Sequence, residues 1–457
     1  MSRGREKYRK DSRSFFDFAR TGWNAYKRKR NIKKKLQISN LSDAAPSGSK
    51  VVFLKPESKK RHRKSGQKKG HTGRSRKVPT AEEITKEVTH SLEICPDCNS
   101  AVYPPNSMRK RIIIDIEMKT EVAKHNISSH WCPKCKVVKE KTITDALPGF
   151  TIGNKALVYS ALLHFRQGVS LSNIVKNMGF MNLKITTGCL VNAWHTLAEI
   201  LKPFYEEIKS EIKSADAVHG DETGWRQFGK RFWLWGFFTV KSALYVIRSK
   251  RNRSVVIEIL GNTFNGILIT DFWKPYLAVA ARLRQWCVAH YLREFIKIEN
   301  NRKDHSKSYL KFRRIVRRLF TDALIFSKKK EIPKEERIKR QAKFLKRLDR
   351  VSCLKTKDED VIRLQKRLKT YRDGMFTFVV EDVGATNNFS ERMLRFAVII
   401  RKVCFHTMSD KGSETLSILL SVFKTMELRG LDPYTETLKL IEKYILDQKS
   451  KKMSLAA

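Results

Sequence analysis

The sequence is short of two things, long apolar stretches and acidic residues. No apolar run in its 457 residues approaches the roughly 18 that a membrane-spanning helix needs. The first residues also lack the apolar stretch of a secretory signal peptide. We therefore expect a chain that stays inside the cell and has no membrane partner.

Acidic residues are outnumbered two to one. Only 46 Asp and Glu stand against 94 Lys and Arg, which gives a formal net charge of +48. This excess is larger than ordinary surface solvation needs, and it indicates a polyanionic partner, most of all nucleic acid. An anionic membrane surface and a lysine bias of the whole lineage are the alternatives. The length allows two or three domains with a sizeable core.

Eight cysteines raise the question of disulfides, but four of them form two tight Cys-x2-Cys pairs separated by 33 residues. Such spacing lets two thiolates of each knuckle reach one tetrahedral Zn²⁺, which closes a structural site in a reducing compartment. The predicted ligands are Cys95, Cys98, Cys132 and Cys135. His125 and His130 are the alternative ligands, although single histidines beside strands are more often surface or core residues.

Composition and periodicity predict three regions before the middle of the chain. Residues 1–80 are basic and rich in Ser, Gly and Pro, as expected of a largely disordered DNA-binding arm or of a solubilising tail. In residues 85–147, alternating stretches such as RIIIDIEMKTEVAKHNISSHW suggest strands of a zinc-binding domain. In residues 150–213, SLSNIVKNMGFMNLKITTGCLVNAW reads as helix, turn and helix. It fits a DNA-binding helix-turn-helix or two helices of a plain bundle.

The second half predicts an α+β arrangement. Residues 214–289 contain the strand-like runs DAVHGDE, RFWLWGFFTV, ALYVIRS and GILITD, with a helical SVVIEIL before the last. Residues 290–385 form a basic helical segment whose apolar residues recur at helical spacing. Residues 386–430 open with the helix start ATNNFSERMLR, which Thr386 can cap. Residues 431–457 predict an amphipathic closing helix.

Three carboxylates stand out by their setting. Asp221 ends one strand-like run, Asp271 ends another, and Glu391 lies on the helix start. Carboxylates at strand ends point into the edge crevice of a sheet, and three of them could hold two Mg²⁺ ions about 3.5 to 4 Å apart. From spacing alone the choice stays open, since three acids among 46 can always be chosen. The competing acids are Asp216, Glu381 and Asp382.

Several segments together resemble the transposases of the insertion sequence 66 family, a branch of the Asp-Asp-Glu transposases. GQKKGHTGR is similar to that family's Gly-Gln-Lys-Gly-His-x-Gly segment. HGDETGWR and TDFWKPY resemble its two Asp motifs, and CVAHYLREF resembles its Cys-Trp-Ala-His-x-x-Arg segment. TNNFSERMLRFAVIIRKVCFHTMSDKGSE and GLDPY look like its Asn-Asn-x-x-Glu-Arg region and C-terminal signature. There are departures, such as Phe272 where Gly usually follows the second Asp.

The resemblance implies a ribonuclease H-like α/β catalytic core, formed by residues 214–289 and 386–430 and interrupted by a helical insertion over residues 290–385. It implies that Asp221, Asp271 and Glu391 are catalytic and bind Mg²⁺ or Mn²⁺. Side chains near Glu391 become candidates for orienting that acid or for contacting DNA. These candidates are Asn387, Asn388, Arg392, Arg395, Arg401 and Lys402.

The expected function is therefore that of a bacterial, cytoplasmic and nucleoid-associated DNA transposase. It would bind its element's terminal repeats and target DNA as a homo-oligomer, with small accessory proteins as further candidate partners. A non-catalytic DNA-binding protein derived from a transposase, or a nuclease that cleaves without joining, are the alternatives. His290 either approaches the site or holds the fold, and the structural role is the one expected. Trp225, Trp233 and Trp235 are expected in the sheet core rather than as base-stacking platforms.

Overall fold

The computed structural model describes residues 79–455 except 106, 117–119, 135, 303 and 330, with side chains described as far as residue 448. The predicted basic arm and the GQKKGHTGR segment therefore lie outside the described residues, apart from positions 79 and 80. The chain divides into two compact units. The larger contains residues 127–177 and 184–455, and the smaller contains residues 79–126 and 178–183.

The smaller unit has little regular structure. Of its described residues between 79 and 126, none is buried, and Ile113, Ile114 and Ile116 expose 71%, 67% and 82% of their surfaces. The strands predicted from the RIIIDIEMKTEVAKHN pattern are wrong for the described positions there, which form none. Alternation alone does not make a strand, because a strand also needs a surface on which to bury its apolar face.

Strands first appear in a short hairpin of the larger unit. Strand β1 (Ser129–Cys132) pairs antiparallel with β2 (Val137–Glu140), with Cys132 opposite Val137. Strand β1 therefore begins only at the end of the predicted alternating stretch.

Most of the described helices lie where helical periodicity predicts them. The described α-helices are α1 (Asn154–Phe165), α2 (Leu171–Phe180), α3 (Thr187–Ser214), α4 (Arg253–Leu260), α5 (Val288–Asn301), α6 (Lys307–Ser327), α7 (Lys334–Ser352), α8 (Glu359–Thr370), α9 (Asn388–Cys404), α10 (Asp410–Leu428) and α11 (Pro433–Leu455). Helix α3 begins where the Thr186 hydroxyl accepts a hydrogen bond from the amide of Cys189 at 3.2 Å. The role of α2 and α3 in DNA binding stays a prediction.

A mixed five-stranded sheet forms the centre of the larger unit. Its strands are β3 (Ala217–Gln227), β4 (Lys230–Phe238), β5 (Ala243–Arg248), β6 (Thr263–Thr270) and β7 (Ala280–Trp286), in the spatial order β5-β4-β3-β6-β7. The first three pair antiparallel, whereas β6 lies parallel to both β3 and β7. The predicted mixed α+β class is confirmed at this level. Sequence periodicity did not predict β7.

Helix α10 covers the edge strand β5 through hydroxyl groups. The amide of Tyr245 donates to the Ser421 hydroxyl at 2.8 Å, and the amide of Ala243 donates to the Thr425 hydroxyl at 3.0 Å. An uncovered edge would leave such amides free to pair with another chain, so these contacts close that side of the sheet. Trp225 and Trp235 are fully buried and Trp233 nearly so, which confirms their predicted place in the sheet core.

Helices α5 to α8 share one core, as the pattern of the basic helical segment predicts. Aromatic side chains dominate it, among them Phe295, Phe312, Phe320 and Phe376, all almost fully buried. Trp286, the last residue of β7, belongs to the same cluster and so anchors these helices to the sheet. No helix in the described part of the chain is long and apolar enough to cross a membrane.

Candidate active site

The two predicted aspartates lie where the parallel strands β3 and β6 separate. Asp271 directly follows the last residue of β6, as predicted. Asp221 does not end its strand, because β3 pairs with β4 as far as Gln227, and Asp221 itself lies opposite Gly236. Pairing of β3 with β6 nevertheless stops at His219, two residues before Asp221. The parallel pair therefore brings both aspartates to its carboxyl-terminal exit, the edge at which open α/β sheets hold ligands.

The loop after Asp271 is held against the helical core. Asp271 accepts a hydrogen bond from the Trp273 amide at 3.0 Å, and the Tyr371 hydroxyl donates to the Phe272 carbonyl at 2.9 Å. The Phe272 ring stacks on Trp286 with centroids 6.0 Å apart. Phe272, which stands where the family usually has Gly, thus makes an aromatic contact between the sheet and the helices.

A third acid, Glu222, is buried beside the aspartates. It exposes 3% of its surface, accepts a hydrogen bond from the Tyr276 hydroxyl at 2.6 Å, and pairs with Arg251 at 2.7 Å. The Arg251 guanidinium is 4.5 Å from the ring centroids of both Trp233 and Trp273. Burial, followed by the nearby charge of Asp271, raises the pKa of Glu222 to about 7, despite the lowering effect of Tyr276 and Arg251.

Glu391 lies in the first turn of α9, whose start is fixed by Asn387. Asn387 is fully buried; its side-chain amide donates to the Gly220 carbonyl at 2.9 Å, and its oxygen lies 3.0 Å from Nδ1 of His219. The Asn387 backbone amide also donates to Sγ of Cys287 at 3.1 Å. Thr386 is not the cap: Asn387 takes the N-cap position, but its side chain bonds to β3 instead of capping the helix. These contacts hold the start of α9 against β3, and the role of Asn387 toward Glu391 or DNA stays a prediction.

Two residues of α5 reach Glu391. Arg293 was not singled out from the sequence as a site residue, and for His290 an approach to the site was the less favoured of two interpretations. Nη2 of Arg293 is 2.6 Å from Oε1 of Glu391, and Nε2 of His290 is 3.7 Å from the same oxygen. His290 was expected to be structural, but the fold places it beside the predicted catalytic acid. Both residues come from the CVAHYLREF segment, which already carried part of the family resemblance. Burial, and then Arg293, lower the pKa of His290.

The acids form one electrostatic group. Burial raises the pKa of Asp221 well above its usual range, and the charges of Glu222, Asp271 and Glu391 raise it further. The charges of these three carboxylates all act on Asp221, and a bound cation would oppose that repulsion. Oxygen donors of this kind are also those that Mg²⁺ prefers.

The donor set fits Mg²⁺ by type, yet the side chains are not gathered around one point. Among the described residues, no group of three or more His, Cys, Asp or Glu side chains could hold a metal ion as they stand. The Glu391 carboxylate is instead turned to Arg293. Whether the three acids bind metal and catalyse stays a prediction.

The remaining DNA-contact candidates fall into two sets. Arg392 and Arg395 are exposed and, with Asn388, line a cleft of about 400 Å³ next to Glu391 and Arg293. Neither aspartate lines that cleft. Arg401 is half-buried, and its guanidinium donates to the Thr223 hydroxyl at 3.1 Å. Lys402 is exposed one residue further along α9.

Both cysteine knuckles begin with the same backbone turn. The amide of Asn99 donates to the Cys95 carbonyl at 2.9 Å, and the amide of Lys136 donates to the Cys132 carbonyl at 2.8 Å. Asn99 and Lys136 both adopt positive φ, 58° and 51°. Hydrogen bonds with Ser100 and then with Cys95 lower the pKa of the Cys98 thiol, which favours the thiolate that a metal binds. Cys135, the fourth predicted ligand, lies outside the described residues.

The fold and site therefore define an α+β protein that brings distant acids to one edge of a mixed sheet, beside a basic helical module. Residues 149–415, more than half of the chain, match the family model described as Transposase IS66 family. The chain belongs to the IS66 family of transposases, as its sequence motifs predicted.

One curated relative matches about half of the chain, and its name states no function. The chain is 24% identical over 282 residues to the uncharacterized protein y4jD of Sinorhizobium fredii, strain NBRC 101917 / NGR234. The match covers 55% of this chain and 55% of that protein, so the chain spans about half the length of the relative it matches.

Proposed function

We propose that this protein is a DNA transposase that cuts a phosphodiester bond at its element's ends and joins the exposed 3′-hydroxyl to target DNA. The observation that carries the proposal is that Asp221 and Asp271 lie at the exit of the parallel strands, and that the charge of Glu391, far away in sequence, still acts on the pKa of Asp221. Membership of the IS66 family supports it. The order and direction of the five strands support assigning the sheet to the ribonuclease H-like class.

In this proposal, Asp221, Asp271 and Glu391 hold Mg²⁺ or Mn²⁺. The bound metal would activate the attacking water or 3′-hydroxyl and stabilise the leaving oxygen. Burial and the neighbouring carboxylates raise the pKa of Asp221, and a bound cation would oppose that rise. Asn387 fixes the first turn of α9 and so limits where Glu391 can reach. In this proposal Glu391 would exchange Arg293 for the metal.

The basic side chains of the neighbouring cleft would hold the substrate. Arg392 and Arg395 are exposed beside Glu391 and offer planar donor pairs that match phosphate oxygens. Once Glu391 turns away, Arg293 becomes free to contact phosphate as well. These roles need positive charge at the cleft but no base-specific contact.

We propose a structural zinc site at the cysteine pairs, supported by the matching turns of the two knuckles. DNA ends and target DNA would be the partners. Bringing two ends together requires at least a dimer on DNA, and small accessory proteins remain candidate partners.

The direct test is incubation of the purified chain with labelled DNA carrying its element's end, in Mg²⁺ or Mn²⁺. Asp271→Asn and Glu391→Gln should lower the rates of cleavage and joining by about 10³-fold or more while duplex binding persists. Asp382→Asn is the matched control, because it removes one exposed acid of the same region. Full activity in Asp271→Asn would contradict the assignment.

The products separate the alternatives. Joined DNA identifies a transposase, whereas cut DNA without joining identifies a nuclease. Tight end binding without any cleavage, even with the accessory proteins, would identify a non-catalytic descendant.

A further inference from the structure

Helix α6 carries a one-sided run of positive charge. Its first twelve residues, KSYLKFRRIVRR, include six Lys or Arg and no acid. Lys307, Lys311 and Arg314 follow one another at the four- and three-residue spacings that place side chains on one face of a helix. A shallow groove of about 590 Å³ runs along this face, which we call the α6 face. Its lining is Lys307, Leu310, Lys311, Arg313, Arg314 and Arg317.

The opposite side of α6 is fixed in the helical core. Phe312 and Phe320 expose 1% of their surfaces and Val316 none. The Tyr309 hydroxyl also donates to the Phe295 carbonyl of α5 at 3.2 Å. A helix anchored in this way presents its exposed cations from a rigid support, so fewer degrees of freedom are lost when they bind a ligand.

The cations of the α6 face differ from those of α7, although both helices are basic. Arginines of α7 are used inside the module: Arg337 donates to the Val379 carbonyl at 3.1 Å, and Arg347 pairs with Asp322 at 2.8 Å. In the part of the chain that the structure describes, no carboxylate pairs with the α6 cations Lys307, Lys311, Arg314 and Arg317. Their charge is not neutralised within that part of the protein.

We infer that the α6 face binds the phosphate backbone of duplex DNA beyond the reacting phosphate. The inference rests on the proposed function and names a contact outside the carboxylate site. A row of unpaired cations without acids, Asn or Gln suits backbone phosphates and offers little for reading bases. The face therefore contributes affinity and orientation rather than sequence preference.

The position of the face agrees with this role. Arg313 pairs with Glu299 near the end of α5, six residues after Arg293 in the same helix. At about 1.5 Å per residue, this places Arg313, in the middle of the α6 face, roughly 9 Å further along α5 than the residue that binds Glu391. From Lys307 to Arg317 the face extends about 15 Å, close to half of a duplex turn.

The test compares two triple variants of equal charge and equal spacing. Lys307→Glu/Lys311→Glu/Arg314→Glu changes the α6 face. Lys339→Glu/Lys343→Glu/Lys346→Glu changes exposed lysines of α7 at the same three- and four-residue intervals, none of which lines the groove. Binding of each full-length variant to a duplex of about three helical turns is measured in EDTA over a range of salt concentrations, with thermal unfolding as the check on folding.

We expect the α6 variant to bind at least about tenfold more weakly, with the slope of log K against log salt reduced by about 2 to 3, as expected for three lost phosphate contacts. The α7 variant should keep most of the wild-type slope. Equal losses in both variants would mean that only net charge matters and would overturn the inference. An unchanged slope in the α6 variant would overturn it too. The α6 face would then be a candidate binding surface for an acidic protein instead of DNA.

Failure of this inference is distinguishable from failure of the proposed function. Binding in EDTA requires no chemistry. If the α6 variant binds the duplex more weakly but the wild type never cuts DNA, the catalytic proposal alone is refuted. A chain that cuts and joins DNA normally, with equal salt slopes in wild type and α6 variant, refutes the α6 inference alone. Sequence changes in the duplex should alter the affinity of wild type and α6 variant by the same factor, which checks that the face reads no bases.

Discussion

The two units of this protein differ in how many of their side chains are buried. In the larger unit, Leu234, Trp235 and Phe237 of β4 are completely buried, and packing fixes the strands that carry the acids. In the smaller unit, no described residue between 79 and 126 is buried, and Tyr103 and Val122 expose 93% and 91% of their surfaces. Hydrophobic burial can therefore position side chains in the first unit but contributes little in the second.

This difference bears on the two proposed metal sites. The aspartates emerge from a packed sheet, so their backbone positions are set before any cation binds. Cys95 and Cys98 lie in the smaller unit and Cys132 lies in the hairpin of the larger unit, where no described residue between 127 and 146 is buried either. The local turns exist, but little packing supports them, so bound metal must supply much of the stabilisation. We therefore expect loss of metal to disrupt the local structure near the cysteines. Near the aspartates it should change the charge but leave the backbone in place.

The largest expected effect is loss of zinc. Cys98→Ser should remove one bound Zn²⁺ per chain, an ion that contributes on the order of 10 kcal/mol to folding in small zinc modules. Residues 85–147 should then become sensitive to limited proteolysis, while the unfolding transition of the sheet stays in place. Zinc content and proteolytic fragments are the measurements.

Cys353→Ser, which changes an exposed single cysteine, is the control for that experiment. If Cys98→Ser keeps its zinc, or if the wild type binds none, the cysteine pairs are not a zinc site.

The next two effects belong to the larger unit and are similar in size. Asn387→Ala should lower the free energy of unfolding by about 2 to 3 kcal/mol, because the buried Gly220 carbonyl loses its donor and a small cavity remains. Asn388→Ala changes the exposed neighbour and should cost less than about 0.5 kcal/mol. Chemical denaturation of both variants measures the difference, and equal costs would contradict the role of Asn387.

Glu222 should make the stability of the larger unit depend on pH. Its pKa is about 7 in the folded chain against an ordinary value of 4.5. Below pH 4.5 the group is protonated in both states, so its favourable contribution is complete. Between pH 4.5 and 7 the unfolded state ionises while the group stays mostly protonated in the folded state, so this contribution to stability is lost progressively. The loss is complete once pH has risen through 7. The total loss is about 3 kcal/mol.

Denaturation in EDTA of wild type and Glu222→Gln from pH 4.5 to 8 measures this effect as a difference between the two curves. Wild type should lose stability relative to the variant as pH rises. Parallel curves would show that Glu222 ionises normally.

The smallest expected effect concerns the pair between Arg293 and Glu391. Both side chains are partly exposed, so Arg293→Met should change stability by less than about 1 kcal/mol. If Glu391 binds metal, losing its competitor should tighten Mn²⁺ binding by about fivefold, the equivalent of 1 kcal/mol. Arg392→Met, in the same cleft but not paired with Glu391, is the control. Weaker Mn²⁺ binding in Arg293→Met would contradict the exchange.

Much of the larger unit's fold was predictable from periodicity. The runs that became β4, β5 and β6, and the helices α1 and α3, combine strong patterns with a buried face. Strand β7 was missed because its sequence, AARLRQW, alternates weakly and places arginines on a partly exposed edge. The strands expected before Ser129 failed for the opposite reason. Their apolar residues alternate clearly, but no described residue between 111 and 126 is buried against another part of the protein.

The candidate site was predictable only in part. Asp221, Asp271 and Glu391 could be chosen from their settings and from the family resemblance. Arg251 could not, because nothing in its surrounding sequence marks it, and it reaches Glu222 only through the pairing of β4 with β5. His290 looked like an ordinary helical histidine until α5 was placed against the start of α9.

The sequence by itself determined the charge of the protein, its family, the cysteine spacing and which segments form most of the helices and strands. These depend on composition and on contacts near in sequence. Only the tertiary structure decided that the charge of Glu222 acts on Asp221, that Arg293 pairs with Glu391, and that Lys307, Lys311, Arg314 and Arg317 of α6 have no carboxylate partner among the described residues. Each depends on which faces of distant elements pack together, because burial and neighbouring charge are properties of the folded chain.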